Sequence, residues 1–319
     1  MTEKRRNGLR RELIAVALLL AVAACSSEDA SPPVLPEARE SIGPLEVYVV
    51  NDPLRAMAER IGGEGVRVRL PAPPGVDPAD WQPEADAIAA YQGADLIVLN
   101  GAGYAEWVAY ATLPRSRLLD TSAAFRDRWV PIEGTVTHAH GRGATHAHEG
   151  YEATTWLDPI LAIEQARAIE AALARLRVDE QEAFAENLAA LEMDLLALDA
   201  RLAAAAERIG DAPLLFSHPI YGYLVRRYGL NARALHWEPG EVPGDASWRE
   251  LDRVLEAHPA RWMLWEAAPR EESRAELRAR GVESAVFAPG GAAAAEGDFL
   301  TLMGRNAAEL ERVAAGPAP

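Results

Sequence analysis

One long helical run, flanked on both sides by alternating strands and short helices, constrains this chain more than any other feature. Between Asp179 and Ile209, Phe184, Leu188, Leu191, Leu195, Leu198 and Leu202 alternate spacings of four and three. That spacing lays a narrow apolar stripe along one helix face. Self-pairing into a coiled coil is one way to bury it. Packing within the chain is the preferred solution, because the stripe lasts only about three heptads and strand–helix patterns adjoin both ends. At 1.5 Å per residue such a helix is roughly 45 Å long, enough to run the height of two lobes.

The flanks read as βα units. Before the long helix, strands are expected at 44–51, 66–70, 94–100 and 117–120. Helices are expected at 52–62, with Asp52 as N-cap and Pro53 in the first turn, at 83–93, at 104–113 and at 156–176, where Asp158 is the cap. After it, strands are expected at 213–218, 232–237, 261–266 and 283–288. Helices fall at 219–229, 247–258 with Ser247 as cap, 269–281 and 298–313. Such alternation implies parallel sheets. The fold class is therefore α/β, with two βα lobes joined by one backbone helix. Residues 45–178 form the first lobe, 179–210 the connecting helix and 211–319 the second lobe.

The first 44 residues are of another kind. Lys4, Arg5, Arg6, Arg10 and Arg11 precede twelve apolar residues, Leu13 to Ala24, too few to span a bilayer. Charged start, short apolar stretch and small residues make 1–24 a secretory signal. Cys25, the only cysteine, follows directly and resembles the lipidation site of bacterial lipoproteins. Residues 25–44 are rich in Ser, Pro, Glu and Ala and read as a flexible tether. The expected location is the periplasm or cell envelope, anchored by lipid to a membrane. A formal net charge of −16 argues against a nucleic-acid partner.

Parallel α/β sheets bind ligands beyond the carboxyl ends of their strands. In the first lobe those positions offer Asp77, Asp80 and Asn100. In the second they offer His218, His236 with Glu238, Glu266, and Ala288. Imidazole and carboxylate together suit a borderline cation such as Zn²⁺. A second signal is the stretch THAHGRGATHAHEG at 137–150, which holds His138, His140, His146 and His148. Residues 126–151 show no convincing period, so this stretch is expected to be a mobile, metal-collecting loop. Catalytic signatures are lacking. Ser217 and His218 are adjacent on a strand and point to opposite faces, and GAG at 101–103 is followed by Glu106 where a dinucleotide fingerprint needs glycine.

The order of these features is similar to the zinc/manganese solute-binding proteins of bacterial ABC importers. The resemblance runs from about Val47 to Leu310 and is carried by LPAPPGVDPADWQP, GADLIVLNGAGYAEW, the His-rich stretch just before TTWLDP, the long helix, and LLFSHPIYGYLVRRYGL. It implies a monomeric receptor that captures a divalent cation, Zn²⁺ first and Mn²⁺ second, between its lobes and hands it to a membrane permease and ATPase. It implies no enzymatic activity. Of the family's four usual ligand positions only His218 keeps a ligand; Ala79, Thr154 and Ala288 stand at the other three. The expected site is therefore rebuilt from His218, His236, Glu238 and Glu266. Two alternatives stay open: a metal store or chaperone, or a receptor for a non-metal solute.

Overall fold

The computed structural model describes residues 43–73, 76–132, 136–139, 145–148, 150–293 and 297–316. The leader, Cys25 and the tether up to residue 42 lie outside the described residues, as does His140. Residues 41–319 form one compact body.

Its first half runs β1 (Leu45–Val49), α1 (Asp52–Gly62), β2 (Val66–Arg69), α2 (Ala85–Gly93), β3 (Leu96–Leu99), β4 (Leu118–Asp120), β5 (Val136–Ala139), β6 (Thr145–His148) and α3 (Pro159–Leu176). Then comes α4 (Gln181–Ile209). The second half runs β7 (Leu214–Phe216), α5 (Gly222–Tyr228), β8 (Ala232–Ala234), α6 (Asp245–Ala257), β9 (Trp262–Trp265), α7 (Glu271–Ala279), β10 (Glu283–Val286) and α8 (Phe299–Ala315). Two four-stranded sheets result, ordered β2-β1-β3-β4 and β10-β9-β7-β8, with every pairing in them parallel. All four residues of β9 are buried, as befits a strand covered on both faces.

The stripe on α4 is used inside the chain. Phe184, Leu191, Leu195, Leu198 and Leu202 are buried and Leu188 half-buried, where α4 packs against α1, α3 and α8. At 29 residues the helix is about 44 Å long. Alternate residues of the second sheet feed two cores. Phe216 and Leu264 join the core that runs through α4, while Leu215, Met263 and Trp265 join a second one with Leu235, Trp237 and Leu251.

Several local expectations are corrected. The N-cap of α1 is Asn51, not Asp52: its extended backbone lets its side chain accept from the Leu54 N–H at 3.0 Å, and Asp52 instead binds Arg55. Helix α6 starts two residues before Ser247, after Gly244, because Trp248 is drawn in to pack edge-on against Trp237 at 4.8 Å. The helix expected at 104–113 is one 3₁₀ turn, Glu106–Ala109, in which Trp107 alone is buried. The cap on α3 is Asp158, which accepts from the Ile160 N–H at 3.0 Å, but the helix begins at Pro159 after a 3₁₀ turn at Thr155–Leu157.

The His-rich stretch is not without secondary structure. β5 and β6 pair antiparallel, with His138 opposite His146 and Val136 opposite His148. Thr and Val alternating with small residues and imidazoles over four positions suffice for a short strand pair. Its root is closed by Ile132 N–H donating to Gly150 O at 3.0 Å and Glu152 N–H donating to Val130 O at 2.8 Å. Among the described residues, no helix is long and apolar enough to cross a membrane.

Candidate metal centre

The carboxyl ends of β7, β8 and β9 converge, and the chain leaves each with a potential ligand. Register pairs Phe216 with Leu264, and two residues further on stand His218 and Glu266. Beyond β8 the chain keeps to β7 by two more bonds, Leu235 N–H to Phe216 O and Trp237 N–H to Ser217 O, both at 2.8 Å. It then turns away at Glu238-Pro239. His218, Glu238 and Glu266 each offer one ligand atom within 4.8 Å of the others. His218 Nδ1 lies 3.7 Å from Glu238 Oε1 and 3.8 Å from Glu266 Oε1. The histidine is buried, 6% exposed, and the carboxylates are half-buried, so a cation would be held at the floor of an opening.

His236 is not among the residues whose ligand atoms gather within 4.8 Å of one another. Leu235 and Trp237 turn into the second core, and β8 is the edge strand, so His236 is left exposed, its ring edge-on to that of His218 at 6.1 Å. The remaining described imidazole, His258, is buried with Nε2 2.9 Å from Leu214 O and serves the fold.

The three residues open into a cleft of about 700 Å³ between the lobes. Its first-lobe wall includes Asp77, Ala79 and Asp80 from the turn after β2, and Thr154 from the segment before α3. Ala79 brings only a methyl group. The Thr154 hydroxyl donates to Ile220 O at 2.6 Å, so this side chain ties the lobes together. The Ala288 backbone is clasped by Asn306, its N–H at 3.0 Å from Oδ1 and its oxygen at 2.7 Å from Nδ2. Asn100 is structural. It is buried, accepts from Asn51 and Gln165, and donates to Ala153 O at 2.8 Å, which fixes the segment bearing Thr154.

The electrostatics favour a cation. No lysine or arginine occurs among the described residues lining the cleft, while Asp77, Asp80, Glu106, Glu152, Glu238 and Glu266 all do. Burial, followed by the charges of Glu238 and Asp77, pushes the Glu266 carboxyl up to about 7. Burial likewise raises Glu152 to about 7, although the Gly222 N–H donates to it at 2.6 Å and Arg226 is nearby. Sequence reading missed Glu152, and also Tyr104, whose buried ring packs edge-on against Trp156 at 5.4 Å. Glu152 has no local signature, but Tyr104 had one. It follows Gly101, Ala102 and Gly103, all in left-handed backbone at φ 78°, 49° and 78°. At Ala102 that conformation costs of order 1 kcal/mol, which persists only where the surroundings enforce it.

The His-rich hairpin springs from the rim. Ile132, Gly150, Tyr151 and Glu152, at its root, all line the cleft. His138, His146 and His148 fall at positions on β5 and β6.

The sequence model of the family described as zinc-uptake complex component A, periplasmic, matches residues 47–313. The zinc-binding lipoprotein AdcA of Streptococcus pneumoniae is 25% identical over 266 residues, 80% of this chain and 49% of that protein. The chain thus spans about half the length of that relative. The high-affinity zinc uptake system protein ZnuA of Bacillus subtilis is 25% identical over 272 residues, 82% of this chain and 81% of that one. Among solved structures, Zn(II)-bound AdcA from S. pneumoniae superposes with TM-score 0.72 at 21% identity, covering 87% of this chain and 59% of that chain. The metal-dependent lipoprotein YcdH of B. subtilis gives TM-score 0.72 at 22% identity, covering 84% and 98%. Two parallel sheets bridged by one long helix are therefore a shared architecture, and with a match over nearly the whole described body the chain belongs to the zinc-uptake complex component A family.

Proposed function

We propose that this protein is the extracytoplasmic solute-binding component of a zinc ABC importer. It captures Zn²⁺ in the inter-lobe cleft and delivers it to a permease–ATPase complex while Cys25 anchors it to the membrane by lipid. It acts as a monomer and as a binding protein, not a catalyst. The observation that carries this reading is the convergence of His218, Glu238 and Glu266 within 4.8 Å at three strand ends, in a cleft lined by carboxylates and no described basic side chain. The hairpin at the rim acts as a collector that raises the local metal concentration. Imidazole must be neutral to bind metal, so affinity falls below about pH 6.

Calorimetric titration of the body, residues 41–319, with zinc tests this, with and without residues 137–150. His218→Ala should abolish tight binding, and removal of the hairpin should leave the tight site intact. Tight binding that survives His218→Ala would place the site elsewhere. A cleft of about 700 Å³ is far larger than one bare ion, which favours a second reading, an organic solute or a metal carried with a small chelator. Absence of any zinc heat from the wild-type body would support it.

A further inference from the structure

The lobes are fastened to each other around the cleft, so its width is set by the frame. The Thr154 hydroxyl donates to Ile220 O at 2.6 Å and the Trp156 indole N–H to Pro289 O at 2.7 Å. The Gly222 N–H donates to Glu152 at 2.6 Å, and the Asp52 N–H to Gly291 O at 2.9 Å. One hydrophobic core holds Val47 and Trp156 of the first lobe together with Phe216 and Leu264 of the second. Drawing the walls in around a bare ion would break these bonds and strain that core, which close packing resists. A space of about 700 Å³ therefore adjoins His218, Glu238 and Glu266, and it suits a small organic molecule.

The three converging ligand atoms all come from the second lobe. Zinc ordinarily takes four ligands, so an ion held there turns its remaining position toward the cleft. Among the described residues the first-lobe wall does not fill it. Ala79 brings a methyl group, the Thr154 hydroxyl is committed to Ile220, and Asp77 and Asp80 lie outside the converging group.

The lining selects what can complete the ion. Trp129, Ile132, Tyr151 and Ile220 give the cleft an apolar, aromatic flank, on which the Tyr151 ring is 46% exposed and meets Trp129 edge-on at 5.2 Å. The charged groups that line it, among the described residues, are all acids. An anionic chelator would meet like charge throughout. Ionised Glu238 and Glu266 already balance the charge of Zn²⁺, so a neutral nitrogen donor completes the ion without adding charge, whereas a third carboxylate would leave an excess. A positive group elsewhere on the same molecule finds carboxylates and aromatic faces, both of which attract a cation.

We propose that the cleft takes zinc together with a small organic cation, whose uncharged nitrogen donor fills the fourth position while its positive end lies along the Tyr151 flank. This deepens the zinc-binding reading and rests on it.

The test uses the 41–319 body, titrated first with zinc chloride alone. The zinc-loaded and metal-free forms are then titrated with histamine, an imidazole donor carrying an ammonium, and with malonate, of similar size but with two carboxylates and no nitrogen. Histamine should bind the zinc-loaded form once per protein, at least about tenfold more tightly than the metal-free form, and malonate should not bind. Zinc-edge X-ray absorption should show one imidazole with zinc alone and two after histamine. Tyr151→Ala should weaken histamine about threefold with zinc binding unchanged, and Tyr151→Phe should restore it; melting checks that both variants fold. Histamine that binds equally with and without zinc, or that strips the metal from the protein, would overturn the co-ligand while the zinc titration still stands. Two imidazoles before histamine is added would overturn it too, since a histidine of the chain would then hold the fourth position. Malonate binding as tightly as histamine would overturn the ligand class. If His218→Ala binds zinc as wild type does, the cleft reading falls and takes the co-ligand with it.

Discussion

Replacing Glu152 by glutamine should stabilise the fold at neutral pH and do nothing for it below about pH 4. The folded carboxyl titrates near 7 against an ordinary 4.5, because burial outweighs the Gly222 N–H bond and Arg226. A rise of that size corresponds to at most about 3 kcal/mol. Glu152 stands at the cleft wall, where water reaches it, and the carboxylate makes a stronger bond to Gly222 than an amide would. A net gain of about 1–2 kcal/mol is therefore expected. The folded state holds the proton that the unfolded chain releases from about pH 4.5 upward. Wild-type stability is accordingly highest below the unfolded value, declines between about 4.5 and 7, and is level above 7, as far as this group is concerned. The variant lacks that decline. Urea denaturation of both bodies at pH 4, 5.5 and 8 measures the difference, which should open across that window. A difference that stays flat with pH, or a variant less stable than wild type at pH 8, would refute burial as the dominant influence on Glu152.

The other expectations concern the frame of the site. Leu195→Ala empties a fully buried position on α4 and should cost about 2–5 kcal/mol in urea denaturation, with both lobes lost in one transition because one core runs through this helix. Gly101→Ala places a Cβ at 1.9 Å from Ser122 Oγ and 2.3 Å from Asp120 Oδ1 at φ 78°; it should destabilise by about 1–3 kcal/mol in urea denaturation. Asp298→Ala removes the α8 cap, in which the carboxylate accepts the Thr301 N–H at 2.8 Å. The cost is about 1 kcal/mol at pH 7. The bonds to Thr301 lower the folded pKa of Asp298, so this stability is present above the unfolded value and should vanish as pH falls through the folded one.

The fold was legible because its signals are local and repeated. Periodicity marks α4, and buried apolar runs such as WMLW mark central strands. Parallel strands also bring their carboxyl ends together, which is why His218 and Glu266 could be singled out before any contact was known. Local rules were weaker by one or two positions. Asn51 and Asp52 are both good caps, and only the extended backbone of Asn51 decides between them. The same ambiguity separates His236 from Glu238. Both follow β8, but the strand keeps its bonds to β7 until Trp237, and the chain swings toward the site only at the next residue. No alternation rule shows where an edge strand detaches.

What stayed hidden depends on contacts between distant segments. Glu152 owes its raised pKa to burial at the cleft wall, and its main partner is Gly222, 70 residues away. The His-rich stretch illustrates the point from the other side. Its composition announces metal on sight, yet the tightest convergence of ligand atoms among the described residues lies elsewhere, at His218. What the structure adds is adjacency. Bonds between 130–132 and 150–152 root the hairpin on the cleft wall itself. On the proposed function, a collector rooted there acts on the rate of loading, and the strength of binding belongs to the cleft.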